Sequence, residues 1–143
     1  MTRTRKQPRS RGSKGFNRKT AEDFLQKNRT KPGVCITDSG LQFLVVEDAA
    51  GPKPKPEATV SVHQRISLVD GTLVDDTYKK DNPEDFSLEE AIEGYREGLL
   101  MMSEGARYKF FIPPELAWGK RGAGNKIGPN ALLIIDAKLI RIY

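Results

Sequence analysis

Cysteine, histidine and tryptophan occur once each among the 143 residues, as Cys35, His63 and Trp118. A lone cysteine cannot close an intramolecular disulfide, and a lone histidine has no Cys or His companion at ligand spacing. Redox and zinc chemistry are thereby set aside, and neither a metal nor a cofactor is expected. His63 falls on the polar side of its strand and reads as a surface residue, while Cys35 falls in a strand and is expected to pack. Apolar runs of about 18 residues, the length of a membrane-crossing helix, are missing. The basic start is followed by polar residues rather than the apolar segment of a secretory signal, so a soluble cytoplasmic protein with no membrane partner is expected. Acids are absent from the first 19 residues, which hold eight bases: Arg3, Arg5, Lys6, Arg9, Arg11, Lys14, Arg18 and Lys19. The remainder carries 16 bases against 19 acids, so the net charge of +5 belongs to the N-terminal segment and the rest is mildly acidic.

With 37% hydrophobic and 30% charged residues, 143 positions suffice for one domain with appendages. The first 17 residues offer, past Met1, one large apolar side chain, Phe16, too little burial to offset ordering entropy. Residues 1–19 are therefore read as a disordered basic tail. Thr20 and Asp23 have capping-box spacing, and Ala21, Phe24 and Leu25 give an apolar face, which predicts a short helix over 20–28. Val34 to Thr37 and Leu41 to Glu47, separated by Asp38-Ser39-Gly40, predict a hairpin. A proline-rich connector, Gly51 to Pro56, follows, and residues 20–58 form a unit distinct from 59–143.

From Val60 the chain alternates, with Val62, Gln64, Ile66 and Leu68 on the same side as Val60. Asp70-Gly71 predicts a turn into a partner strand, Thr72 to Asp76. Lys79 to Asp85 reads as a polar loop. Leu88 to Met102 has helical spacing, and Glu89, Glu90, Glu93 and Glu97 read as its solvated face. Ala106 to Ile112 and Leu132 to Tyr143 are β-rich. The pattern predicts an α+β fold, an antiparallel sheet wrapped around one short helix.

Several motifs in order resemble the FKBP-type prolyl isomerases. They are Ile92-Glu93-Gly94-Tyr95-Arg96-Glu97-Gly98 at the helix entry, Pro114-Glu115-Leu116-Ala117-Trp118-Gly119 in the loop, and Arg121 to Gly124 with Ile127-Gly128-Pro129-Asn130 beyond it. Ala21 to Glu47, with Gly40-Leu41-Gln42-Phe43, is similar to the end of the N-terminal region of the Mip-type branch, shortened here to one helix. The resemblance implies peptidyl-prolyl cis-trans isomerisation in protein folding, on proline-containing peptides or unfolded proteins, by a monomer or weak homodimer. It implies direct roles for Asp75, Ile92, Tyr95 and Trp118, with Gln64, Val74, Phe86, Ala91, Ile127 and Ile135 lining the substrate pocket. Family members usually carry a hydroxylated aromatic where Gln64 stands, Phe at Val74, Trp at Tyr95, Tyr at Trp118 and an aromatic at Ile135. A wider, weaker pocket is expected.

Rotating an Xaa-Pro bond needs no nucleophile, metal or proton transfer, because amide resonance sets the barrier at about 18–20 kcal/mol. The absence of a catalytic triad is thus no objection. Two other readings stay open. The same scaffold could be a non-catalytic peptide-binding or chaperone module, or the basic segment could carry the function by weak, salt-dependent contact with RNA, DNA or ribosomes.

Overall fold

A computed structural model describes residues 12–143. It shows an α+β fold built on an open, fully antiparallel seven-stranded sheet. The strands are β1 (Cys35–Ile36), β2 (Gln42–Glu47), β3 (Thr59–Ser67), β4 (Leu73–Asp76), β5 (Glu84–Ser87), β6 (Arg107–Ile112) and β7 (Leu133–Ile142). Their order is β1-β2-β6-β7-β3-β4, and β5 shares with β4 the outer edge of β3.

The centre is β3 against β7. Gln64 faces Ala137 and Ile66 faces Ile135 in the register, so the alternating apolar residues of both strands meet on one side of the sheet. Across that side lies the helix α3 (Glu93–Met101). Its Tyr95 and Leu99 join Phe110, Ile112, Leu133, Ile135 and Ala137 in the core. Gly98 permits the close approach, since a Cβ there would run into the Phe110 ring.

The first helix, α1 (Lys14–Asn28), is longer than the sequence predicts. Residues 14–19 of the expected disordered tail are helical, whereas its first eleven positions lie outside the described residues. The cap is Ser13, whose Oγ accepts from the Phe16 amide at 3.1 Å, and Thr20 lies in mid-helix. Tertiary contacts hold the early turns. Asn17 Nδ2 donates to the Pro129 carbonyl at 2.9 Å, and Asn130 Nδ2 donates to the Lys14 carbonyl at 3.3 Å. Further along, the Phe24 ring meets Phe111 at 5.8 Å, and Gln42 bonds Asn28 and the Leu25 carbonyl. Phe111 alternates with Phe110, so α1 covers the face of the sheet opposite α3. The expected N-terminal helix is thus present, longer than predicted, and packs on the face of the sheet opposite α3.

The supposed polar loop after β4 also has structure, in the four-residue helix α2 (Thr77–Lys80) and in β5. α2 is capped locally by Asp76, whose Oδ1 accepts from the Lys79 N–H at 3.2 Å, and β5 is held by pairing with the edge of β3. The predicted helix Leu88 to Met102 is interrupted: a single 3₁₀ turn, Leu88–Glu90, is followed by extended Ala91 and Ile92 before α3 starts. Cys35 is exposed, against expectation, because β1 is a two-residue edge strand with both side chains outward. His63 is half-buried, its ring stacked on Tyr78 at 5.0 Å with Nδ1 and Thr77 Oγ1 3.0 Å apart, and so is not a free surface residue.

Candidate functional site

Between β3, β4 and the start of α3 a line of polar side chains is enclosed by apolar ones. Tyr95 is 5% exposed and donates its hydroxyl proton to Gln64 Oε1 at 2.8 Å. Gln64, also buried, donates from Nε2 to Asp75 Oδ2 at 3.0 Å. The other oxygen of Asp75 is 3.1 Å from Lys80 Nζ. Burial pushes the Asp75 carboxyl up, but the bonds from Gln64 and Lys80 and the Lys80 charge more than offset it, leaving it below its ordinary value. Burial holds the Tyr95 phenol well above its ordinary range, so it remains a donor. Gln64 therefore stands between a phenol that donates and a carboxylate that accepts, and both ends of its amide are satisfied.

The position of Gln64 is fixed from behind. β4 pairs with β3 at Arg65 to Ser67 and β5 at Thr59 to Val62, which leaves the ladder open between them. Thr77, fully buried at the start of α2, fills the gap, and its Oγ1 accepts from the Gln64 backbone N–H at 2.7 Å.

Aromatic and aliphatic groups surround this polar line. The Tyr95 ring lies 5.7 Å from Phe86 and 6.2 Å from Phe110. Val74, Ala91 and Ile92 are half-buried against the same core, to which the buried Ile127 and Ile135 belong. Ile135 lies in the sheet beside Ile66 and Phe110, beneath the others. The extended conformation of Ala91 and Ile92 leaves the Ile92 N–H outside the α3 ladder, and it has no acceptor among the described residues. Trp118 is 44% exposed, and no ring pairs with it among the described residues. Its segment is brought to α3 by the turn Pro114–Leu116, which packs so tightly on Gly94 that a Cβ there would crowd Leu116 and Ile112. The loop after it is closed by the Ala123–Ile127 bridge and by the Asn130 N–H on the Gly119 carbonyl at 2.7 Å.

The sequence named Gln64, Asp75, Phe86 and Tyr95, which touch one another in a chain, and Val74, Ala91, Ile92, Ile127 and Ile135, which pack on the same core. Trp118 follows the Pro114–Leu116 turn and is not joined to Tyr95 by a ring contact. Lys80 and Thr77 were missed, because each reaches the site through the α2 turn, which carries no periodicity. A cavity of about 520 Å³ lies between α1 and the β3–β4 turn, lined by residues such as Phe16, Leu68, Leu73 and Lys126 and by none of the candidate site residues. Among the described residues no three His, Cys, Asp or Glu side chains converge on a point that could hold a metal ion, and no helix is long and apolar enough to cross a membrane.

A helix packed across one face of an open antiparallel sheet, with aromatic rings and a polar corner gathered near the helix entry, defines a small α+β domain. The chain belongs to the FKBP-type peptidyl-prolyl cis-trans isomerase family, whose model matches residues 51–140. The domain amino terminal to such isomerases matches residues 2–45. The probable FKBP-type isomerase FkpA of Neisseria meningitidis is 40% identical over 126 residues, covering 88% of this chain and 46% of the relative. The outer membrane protein MIP of Legionella longbeachae is 38% identical over 133 residues, covering 89% and 57%. That relative, an outer membrane protein by name, overturns the expectation of a cytoplasmic location. Among solved structures, FkpA from Escherichia coli superposes with a TM-score of 0.86 at 35% identity, covering 90% of this chain and 60% of that one. A peptidyl-prolyl isomerase from Pseudomonas syringae gives 0.84 at 29% identity, covering 92% and 96%. The chain spans about half the length of the two curated relatives, 46% and 57%.

Proposed function

We propose that this protein catalyses cis–trans isomerisation of Xaa-Pro bonds in peptides and unfolded proteins, with residues 59–143 as the isomerase unit. The observation that carries the reading is the unengaged Ile92 N–H at the entry of the helix that carries the buried Tyr95. The planar amide is more dipolar than the twisted one, so an apolar recess that strips water from it favours the twisted state. Tyr95 and Phe86 would take the proline ring, and the Ile92 N–H would hold a substrate carbonyl. Asp75 keeps Gln64 oriented and hence the Tyr95 hydroxyl, and Trp118 closes the site from its loop. Val74, Ala91, Ile127 and Ile135 supply the apolar wall. With Val74, Ile135 and Gln64 in place of larger aromatics, the recess is wider than is usual in the family and holds peptides weakly.

The test is a protease-free isomerisation assay on short Xaa-Pro peptides. Acceleration by the wild type that falls at least several-fold in Trp118→Ala, an exposed residue whose loss leaves the core intact, supports the reading. A folded wild type that binds such peptides without accelerating them points instead to a non-catalytic peptide-binding module. The eight bases before residue 20 favour a second reading, a phosphate-binding role for the N-terminal segment. Affinity for single-stranded RNA that collapses at moderate salt and on removal of residues 1–11 would support it, and salt-insensitive or absent binding would refute it.

A further inference from the structure

We propose that Arg96 is a positioning residue for the isomerase site, acting through the Ala91–Ile92 peptide. The inference rests on the isomerase reading above. Arg96 lies in the first turn of α3, where a cation opposes the positive end of the helix dipole. Among the described residues no carboxylate lies within ion-pair distance of it, so no acid accounts for its placement. Its guanidinium faces two backbone carbonyls instead. Nε donates to the Leu88 oxygen at 3.1 Å and Nη2 donates to the Ala91 oxygen at 3.1 Å.

The second bond is the consequential one. The Ala91 C=O and the Ile92 N–H belong to one planar trans peptide and point in opposite directions. Gripping the oxygen therefore aims the N–H. No helix bond does this job, since Ala91 (φ −78°, ψ 153°) and Ile92 (φ −61°, ψ 154°) are extended. The rigid planar fork holds the 3₁₀ turn and the peptide together, while the capping box of Ser87 and Glu90 holds the far end of the same turn. A cation on the carbonyl also polarises the peptide and makes its N–H a stronger donor. Ile92 is the N-cap of the helix whose third residue is Tyr95, so donor and aromatic ring are set by one element.

The experiment compares wild type with Arg96→Met, which keeps the stem but no donor, and Arg96→Lys, which keeps the charge but cannot fork. It measures kcat and KM in the protease-free assay and the amide NMR spectrum of the free protein. The substrate carbonyl is present in ground and transition states alike, so the loss should appear mainly in KM. In Arg96→Met, kcat/KM should fall about tenfold, and in Arg96→Lys by less. The Ile92 amide resonance should move in Arg96→Met while the Tyr95 and Phe110 ring signals stay in place. Unchanged kinetics in Arg96→Met, or a stationary Ile92 resonance, overturns the proposal. If the wild type is inactive the isomerase reading fails, and the Ile92 resonance alone decides whether Arg96 aims the donor. If Arg96→Met does not fold, the same two readouts on Arg96→Lys decide, an unmoved Ile92 with wild-type KM counting against the proposal.

Discussion

Replacing Tyr95 by phenylalanine isolates one hydroxyl. The ring contacts with Phe86 and Phe110 survive, and what is lost is the 2.8 Å bond to Gln64 Oε1. Gln64 is 6% exposed, so water cannot readily replace the donor. A neutral hydrogen bond contributes about 1 kcal/mol net, and a stranded buried acceptor adds about 1 kcal/mol or more. Tyr95→Phe should therefore destabilise by about 2 kcal/mol, a fall in Tm of about 6–8 °C for a chain of this size. Urea unfolding followed by circular dichroism measures it. The partner variant is Gln64→Leu, which removes the acceptor; Asp75 then keeps Lys80 and solvent. On that background Tyr95→Phe should cost less than about 0.5 kcal/mol, giving a coupling of about 1.5 kcal/mol. An equal cost on both backgrounds would show that the hydroxyl does not act through Gln64 and would refute the polar line as drawn.

Gly98→Ala should destabilise by about 1–3 kcal/mol despite alanine's better helix propensity, because the new methyl meets the buried Phe110 ring; chemical denaturation reads it. Asp75, held below its ordinary value of 3.8, contributes stability that is complete above that value and disappears as pH falls through its lower folded value. Asp75→Asn should accordingly flatten the acid limb of the stability curve, and an unchanged limb would contradict this. Tyr78 behaves in the opposite sense. Burial first, then the Asp136 charge, pushes its phenol from 10.0 up to about 12, so its contribution is full below pH 10.0 and is lost as pH rises toward 12. In Tyr78→Phe the alkaline fall in stability should be shallower.

Legibility in the sequence followed locality. The Asp70-Gly71 turn and the alternation along β3 and β7 were readable because each is written in adjacent residues. The start of α1 was not, because Ser13 and Thr20 are both acceptable caps and the choice is made by the distant Pro129 and Asn130. β5 escaped notice since Glu84 to Ser87 has no apolar alternation of its own and becomes a strand by pairing with Thr59 to Val62. The break at Ala91 and Ile92 was hidden inside a helical spacing that continues across it. The candidate site divides in the same way. Tyr95, Asp75 and Gln64 could be named from the family resemblance, whereas Thr77 and Lys80 reach them only after α2 has folded against the gap in the β3 edge.

The central claim is that a prolyl peptide sits on Tyr95 against the Ile92 N–H and is isomerised there. Titrating the isotopically labelled protein with an unlabelled Xaa-Pro peptide, while following the peptide's own cis–trans exchange in the same tube, tests it most directly. Shifts centred on Ile92, Tyr95, Phe86 and Trp118, together with exchange faster than in the free peptide, are predicted. Shifts confined to the α1 face, or exchange at the uncatalysed rate with the site saturated, would contradict it.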